Sequence, residues 1–169
     1  MPGETPARSE PRLTLQSRLE EVALLWPWAE SIAQEHAASP ATRYAIHLCL
    51  EEALSNVIVH GYAGQPGHPI VVEFSSAPGE LVFTVEDQAP PFDPLAFPGS
   101  GPGPAPSSAS SSSPAASLPT PSSHDPSSID PIPLGGQGIR LMRKFAGSLS
   151  YTRLAHGNRL TLRFPVSRA

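Results

Sequence analysis

Glu52 and Asn56 lie one helical turn apart in a stretch that is otherwise apolar, with Leu48, Cys49, Ala53, Leu54, Val57, Ile58 and Val59 around them. Residues four apart stack on one helical face, so a carboxylate and an amide share a polar stripe, with His60 a further turn along and somewhat rotated. Taken alone, that stripe is more often the solvent side of an ordinary helix, with Glu52 simply exposed beside Glu51. Two other features change the balance. Asp87 directly follows the alternating apolar run Glu80 to Glu86, which puts a carboxylate at a strand end. Gly135-Gly136-Gln137-Gly138 precedes a short helical segment, where glycines let backbone N–H groups approach an anion and the helix start directs its positive dipole end to the same place. A glycine-rich turn is weak evidence by itself; the three features in chain order form a joint signal.

The elements that must hold these residues can be read from periodicity. Arg12 to Gln16 alternates as a short edge strand, and Leu19 to His36 recurs at helical steps, interrupted by Pro27, which predicts a kink or a helix beginning near Leu25. Trp26 and Trp28 read as packing anchors. Ser39-Pro40 is a helix start, an N-cap hydroxyl followed by proline where the missing N–H costs nothing, and the helix should run to about His60 and stop at Gly61. Strands are expected at Ile70 to Ser75 and Glu80 to Glu86, joined through Pro78-Gly79, and then at Ser148 to Leu154 and Arg159 to Phe164, with a turn at His156-Gly157-Asn158. A helix over Ile139 to Phe145 follows the glycine run.

Between Pro90 and Pro133 the composition shifts: 13 of the 22 prolines fall there, beside Ser, Ala and Gly. Such a segment cannot bury enough apolar surface to offset its ordering entropy, so a disordered low-complexity insertion is expected at about 98–132, with a flexible N-terminus over 1–11 and one folded domain over 12–165. A formal net charge of -4 argues against a protein devoted to nucleic acid or an anionic membrane. One cysteine, Cys49, excludes an intramolecular disulfide. With no apolar run long enough for a signal or a membrane span, the expected location is the cytoplasm.

Leu50-Glu51-Glu52-Ala53-Leu54-Ser55-Asn56-Val57-Ile58-Val59-His60-Gly61-Tyr62 resembles the N-box of the anti-sigma factor serine/threonine kinases, a branch of the GHKL (Bergerat, histidine kinase-like) ATPases with the pattern E-A-x-x-N-x-x-x-H-G-Y. Glu86 to Pro94 is similar to the family's first glycine box, D-x-G-x-x-F-D-P, and Gly135 to Leu141 to its second, G-G-x-G-I-x-L. The resemblance covers roughly residues 12 to 98 and 132 to 165. It implies a two-layer α/β sandwich, with a mixed, mostly antiparallel sheet and helices on one face. It implies ATP and Mg²⁺ as cofactors, Asn56 as Mg²⁺ ligand, Glu52 as general base and Asp87 as acceptor for the adenine amino group. Ala89, Phe92, Gly135, Gly136, Gly138 and Ile139 are the other nucleotide-binding positions it implies. The partner it implies is a STAS-domain anti-sigma-factor antagonist, phosphorylated on serine; it also admits a sigma factor as partner and a homodimer.

Departures from the pattern set the alternatives. The family usually has glycine where this chain has Ala89, and alanine would be strained if the backbone there needs a positive φ. The lid between the glycine boxes is lengthened by the insertion. No lysine or arginine occurs from Tyr44 to Ile139, so the nearest cations for a triphosphate along the sequence are Arg140, Arg143 and Lys144, which read equally well as a solvated helix face. The competing function is therefore an ATP-dependent partner-binding module with little or no kinase turnover. A histidine-kinase catalytic half is disfavoured, since no helical phosphoacceptor segment precedes the ATP domain in this sequence. His47, His68, His124 and His156 are assigned no chemistry, and Asn158, where many GHKL proteins have threonine near the adenine, is unassigned.

Overall fold

The computed structural model describes residues 10–96 and 137–166. Its elements are β1 (Arg12–Gln16), a 3₁₀ turn (Leu19–Leu24), α1 (Leu25–Glu35), α2 (Pro40–Asn56), a π-helical turn (Val57–Gly61), β2 (Pro69–Ala77), β3 (Glu80–Asp87), α3 (Gln137–Phe145), β4 (Ser148–Leu154) and β5 (Gly157–Pro165). The strands form one sheet in the order β1-β2-β3-β5-β4. Every pairing among the described residues is antiparallel, so the mixed pairing expected from the sequence reduces to antiparallel ladders. Insertion residues 98–132, together with Gly135 and Gly136, lie outside the described residues.

Register puts most of the large apolar strand residues on one face, with Val71, Val82 and Leu154 on the other. Leu15 pairs Ile70, Leu13 pairs Val72, Phe74 pairs Phe83, Val85 pairs Leu160 and Phe83 pairs Leu162. That face packs against Leu25, Ile32, Ile46, Leu50, Leu54 and Met142 of the helices, all within one buried cluster. The opposite face carries short polar side chains and cross-strand ion pairs, Arg12–Glu73 at 3.3 Å, Arg163–Glu80 at 3.2 Å and Arg159–Glu86 at 2.5 Å. These are partly exposed pairs, whose worth is small; their role is to fill a solvated face with alternating charge.

The helix boundaries follow local chemistry. Pro27 stands in the first turn of α1, where a proline removes no helical bond, so the helix begins at Leu25 and the preceding residues take a 3₁₀ turn. Ser39 caps α2, its hydroxyl accepting from Thr42 N at 3.1 Å, with Pro40 next. Trp28 packs edge-on to Phe83 at 6.0 Å between ring centroids. Trp26 does not enter the core: it is 48% exposed and stacks on the His47 ring at 4.3 Å. His47 itself is buried, its Nε2 3.0 Å from Glu30, and burial holds its pKa below the usual value.

Candidate nucleotide-binding site

The C-terminal end of α2 does not run straight to His60. It widens into the π turn Val57–Gly61, with Tyr62 N bonded to Val57 O at 2.8 Å. Such single turns insert one extra residue into the helical ladder and frequently mark functional sites. Here the turn brings Gly61 beneath Ala89: a Cβ on Gly61 would lie 3.1 Å from the Ala89 methyl. The segment after β3 therefore packs closely on α2 here, and a side chain at position 61 would require its neighbour to give by a few tenths of an ångström. Tyr62 fastens the same closure, its hydroxyl accepting from Gln88 N at 2.8 Å and donating to Pro69 O at 3.1 Å.

Asp87, the last residue of β3, is buried. One of its carboxylate oxygens accepts from Ala89 N at 2.8 Å and from Asn158 Nδ2 at 2.7 Å. Burial raises its pKa, opposed by those two hydrogen bonds and by the nearby Arg153 guanidinium. Asn158 is oriented from its other end, because Tyr151 OH and Arg153 donate to its Oδ1 at 2.7 and 2.9 Å. Gly157 makes this approach possible, since a Cβ there would run into the Asp87 carbonyl.

The cleft between α2 and these strand ends is lined by Ala53, Asn56, Val57, Gly61, Asp87, Phe92, Pro94, Tyr151, Asn158 and Leu160. Most of its wall is apolar, as a site for a flat heterocycle requires, with a few convergent polar groups. Asn56 Nδ2 is buried there without a hydrogen-bond partner. A buried amide left unpaired costs free energy, and such groups in folded proteins call for an explanation. One turn earlier, the Glu52 carboxylate occupies the space a side chain on Gly138 would need, so it lies against the first turn of α3. Burial first, and Glu51 second, raise the Glu52 pKa.

The residues singled out from the sequence divide into three groups. Asn56, Asp87 and Phe92 line the cleft, and Glu52 and Gly138 meet beside it. Ala89 and Ile139 are buried in the core cluster and do not line the cleft. Gly135 and Gly136 fall outside the described residues. The strain expected at Ala89 is not found: the non-glycine residues with positive φ among the described ones are Ala37 and Ala63. Of the cations expected near phosphate, Arg143 donates to Leu95 O at 2.5 Å, and Lys144 sits over the Phe145 ring at 5.4 Å.

Sequence reasoning missed Tyr151 and Arg153 and left Asn158 unassigned. The missed signal was alternation. Leu149, Tyr151 and Arg153 pair with Leu162, Leu160 and Asn158, so polar residues occupy positions in line with the inward apolar series.

An antiparallel sheet backed by helices, with an apolar cleft ending in a buried, hydrogen-bonded carboxylate, defines an α/β-sandwich nucleotide-binding domain. The model of the histidine kinase-like ATPase domain matches residues 15–164, and the chain belongs to that family, which makes it an ATP-binding domain of the GHKL type. It is 31% identical over 137 residues to the serine/threonine-protein kinase BtrW of Bordetella bronchiseptica, covering 80% of this chain and 79% of that one. Its fold is similar to the crystal structure of the RsbU and RsbW domains of Rv1364c from Mycobacterium tuberculosis, with a TM-score of 0.56 at 16% identity over 94% of this chain and 33% of that one. The chain thus spans about a third of that longer protein. Among the described residues no helix is long and apolar enough to cross a membrane.

Proposed function

We propose that this chain is a Mg²⁺·ATP-dependent serine kinase acting on a STAS-domain anti-sigma-factor antagonist, with Glu52 as general base, Asn56 as metal ligand and Asp87 as acceptor for the adenine amino group. The observation that carries this reading is the unpaired, buried Asn56 amide, in the same cleft as Asp87 and one turn from Glu52. The two ends of an amide exchange by a half-turn, so Asn56 could present its neutral oxygen, a donor that would suit Mg²⁺. When bound, Mg²⁺ would neutralise charge on the phosphates. The chain's own residues do the remainder: Asp87 fixes the base, Gly138 and the start of α3 face the phosphate end, and Glu52 takes the serine hydroxyl proton as that oxygen attacks the γ-phosphorus and ADP departs. The raised pKa of Glu52 makes it a better proton acceptor than an ordinary glutamate. Similarity to BtrW, a named serine/threonine-protein kinase, supports the reaction class.

A second reading, an ATP-dependent partner-binding module without useful turnover, is favoured by one observation: among the described residues lining the cleft there is no lysine or arginine. The two readings separate in one assay, in which wild type and Glu52→Gln are incubated with labelled ATP and the STAS protein encoded nearest the gene. The kinase reading expects labelled serine with wild type and a fall of about 10² to 10⁴-fold with Glu52→Gln, at similar ATP affinity. Equal transfer by both removes Glu52 as base; no transfer by either to a partner that binds them selects the binding module. Sigma-factor capture and homodimer formation belong to the same proposal and are read by co-elution in the same mixture.

A further inference from the structure

Asp87 is served by a cation that no motif contains. Arg153 lies on β4, one of the two edge strands of the sheet, directly across from Asn158 in the ladder. Its guanidinium donates to Asn158 Oδ1 at 2.9 Å and to Ala89 O at 3.1 Å. Asn158 in turn donates from Nδ2 to Asp87 at 2.7 Å and to the Ala89 and Pro90 carbonyls at 3.2 Å each. With Oδ1 taken by Arg153 and Tyr151, the Asn158 amide cannot turn over without losing two donors, so Nδ2 stays directed at the carboxylate. One carboxylate oxygen, Oδ1, thereby receives both Asn158 Nδ2 and Ala89 N.

We propose that Arg153 is a positioning residue for nucleotide binding: through Asn158 and the Ala89 carbonyl it holds the Asp87 carboxylate in one orientation, leaving the second oxygen for the adenine amino group. The inference rests on the reading of Asp87 as adenine acceptor and adds a residue to it from outside all three motifs. Two effects are separable. Geometry comes from one guanidinium nitrogen, Nη1, which donates to both acceptors, and a lysine, without the planar head, would hold that donor less firmly. Charge comes from proximity, because a cation near a buried carboxylate opposes the desolvation that favours its neutral form. The other groups around Asp87 do not supply that charge. Tyr62 is a phenol with a raised pKa, and Glu86, which faces the other side of the sheet, is paired with Arg159. Arg12 and His156 border a groove on the far side of Asp87, and neither is a cause of its shift.

The test is titration calorimetry of ATP with full-length wild type, Arg153→Met, Arg153→Gln, Arg153→Lys and Asp87→Asn, repeated between about pH 5 and 8 so that the nucleotide's own titration cancels between proteins. Arg153→Met should bind ATP about tenfold more weakly, the loss expected for one hydrogen bond to a charged group. Its acid limb of binding should move to higher pH, because the Asp87 carboxyl protonates more readily without the cation. Arg153→Gln, which keeps donors without charge, should show the same move. Arg153→Lys should weaken binding yet keep the wild-type limb. A purely structural role would lower melting temperature without moving that limb. Wild-type affinity and limb in both Arg153→Met and Arg153→Gln overturn the proposal, provided Asp87→Asn has lost ATP. If Asp87→Asn binds ATP as wild type does, the adenine-acceptor reading itself is wrong and the role of Arg153 falls with it.

Discussion

Replacing Asn56 by leucine should stabilise the nucleotide-free protein while abolishing its response to ATP. The side chains are close in volume, and the Nδ2 atom they would exchange for a methyl is buried without a hydrogen-bond partner. An unpaired buried polar group costs about 1–3 kcal/mol, and exchanging it for an apolar group of the same shape recovers much of that. For an ordered domain of about 120 residues, 1 kcal/mol corresponds to roughly 3–6 °C in melting temperature, so a rise of at least that size is expected. ATP at a hundred times its Kd adds about 2.7 kcal/mol to a protein that binds it and nothing to one that does not. The assay is thermal unfolding of both proteins with and without Mg·ATP. A lower melting temperature for ligand-free Asn56→Leu would show that the amide is satisfied, and an unchanged ATP increment would show that it does not bind nucleotide or metal. Either result refutes the argument from the orphaned amide.

Gly138→Ala should cut phosphotransfer at least tenfold despite the better helix propensity of alanine, because its Cβ meets the Glu52 carboxylate and displaces it; wild-type transfer by Gly138→Ala would mean that this contact does not set the position of Glu52. Gly157→Ala should lose more than about 2 kcal/mol of stability by denaturant unfolding, since the atom in the way is the Asp87 backbone carbonyl and backbone cannot step aside as a side chain can; a near-neutral variant would contradict the close approach. The raised Glu52 pKa predicts an acid limb of kcat above the ordinary glutamate range, since the base is lost as pH falls through the raised value. It also has a stability sign: a carboxyl whose folded pKa is raised contributes stability that is present in acid and lost as pH rises through that pKa. Glu52→Gln should therefore unfold at higher temperature than wild type at neutral pH and at the same temperature below about pH 4, and the reverse order would show that the carboxylate is stabilised in its charged form.

What could be read from the sequence was whatever local chemistry decides alone. Ser39-Pro40 starts α2 because a hydroxyl cap and a proline suit only a helix N-terminus, and β4 runs over Ser148–Leu154, the span its alternation predicts. Gly79, at φ +77 in the β2–β3 hairpin, is the residue that a turn of this kind demands. The end of α2 was not readable, because the π turn depends on what Gly61 must admit, namely Ala89 from a segment 28 positions further along. For Ala89 the condition for strain, a positive φ, is not met. Against a family pattern it looked like a strained glycine replacement; in the fold it keeps ordinary backbone geometry, and glycine at position 61 makes room for its methyl.

The electrostatics of the site show the same division between what is local and what is assembled. Along the chain, the long interval from Tyr44 to Ile139 without lysine or arginine suggested a site without cations. Sheet order then puts β4 beside β5 and β5 beside β3, so that Arg153, far downstream of both boxes, donates to Ala89 O while the helix following the second box sends Arg143 to Leu95 O. Both guanidiniums, though exposed, donate to backbone carbonyls of the first glycine box or its continuation. Charge missing from the motifs is thus supplied at the base-binding end by strand pairing. Among the described residues that line the cleft there is no lysine or arginine. On the roles proposed above, ATP binding through Asp87 and slow transfer through Glu52 would be compatible in one fold, and measuring Kd and kcat separately, not activity alone, is what tells a slow kinase from a binding module.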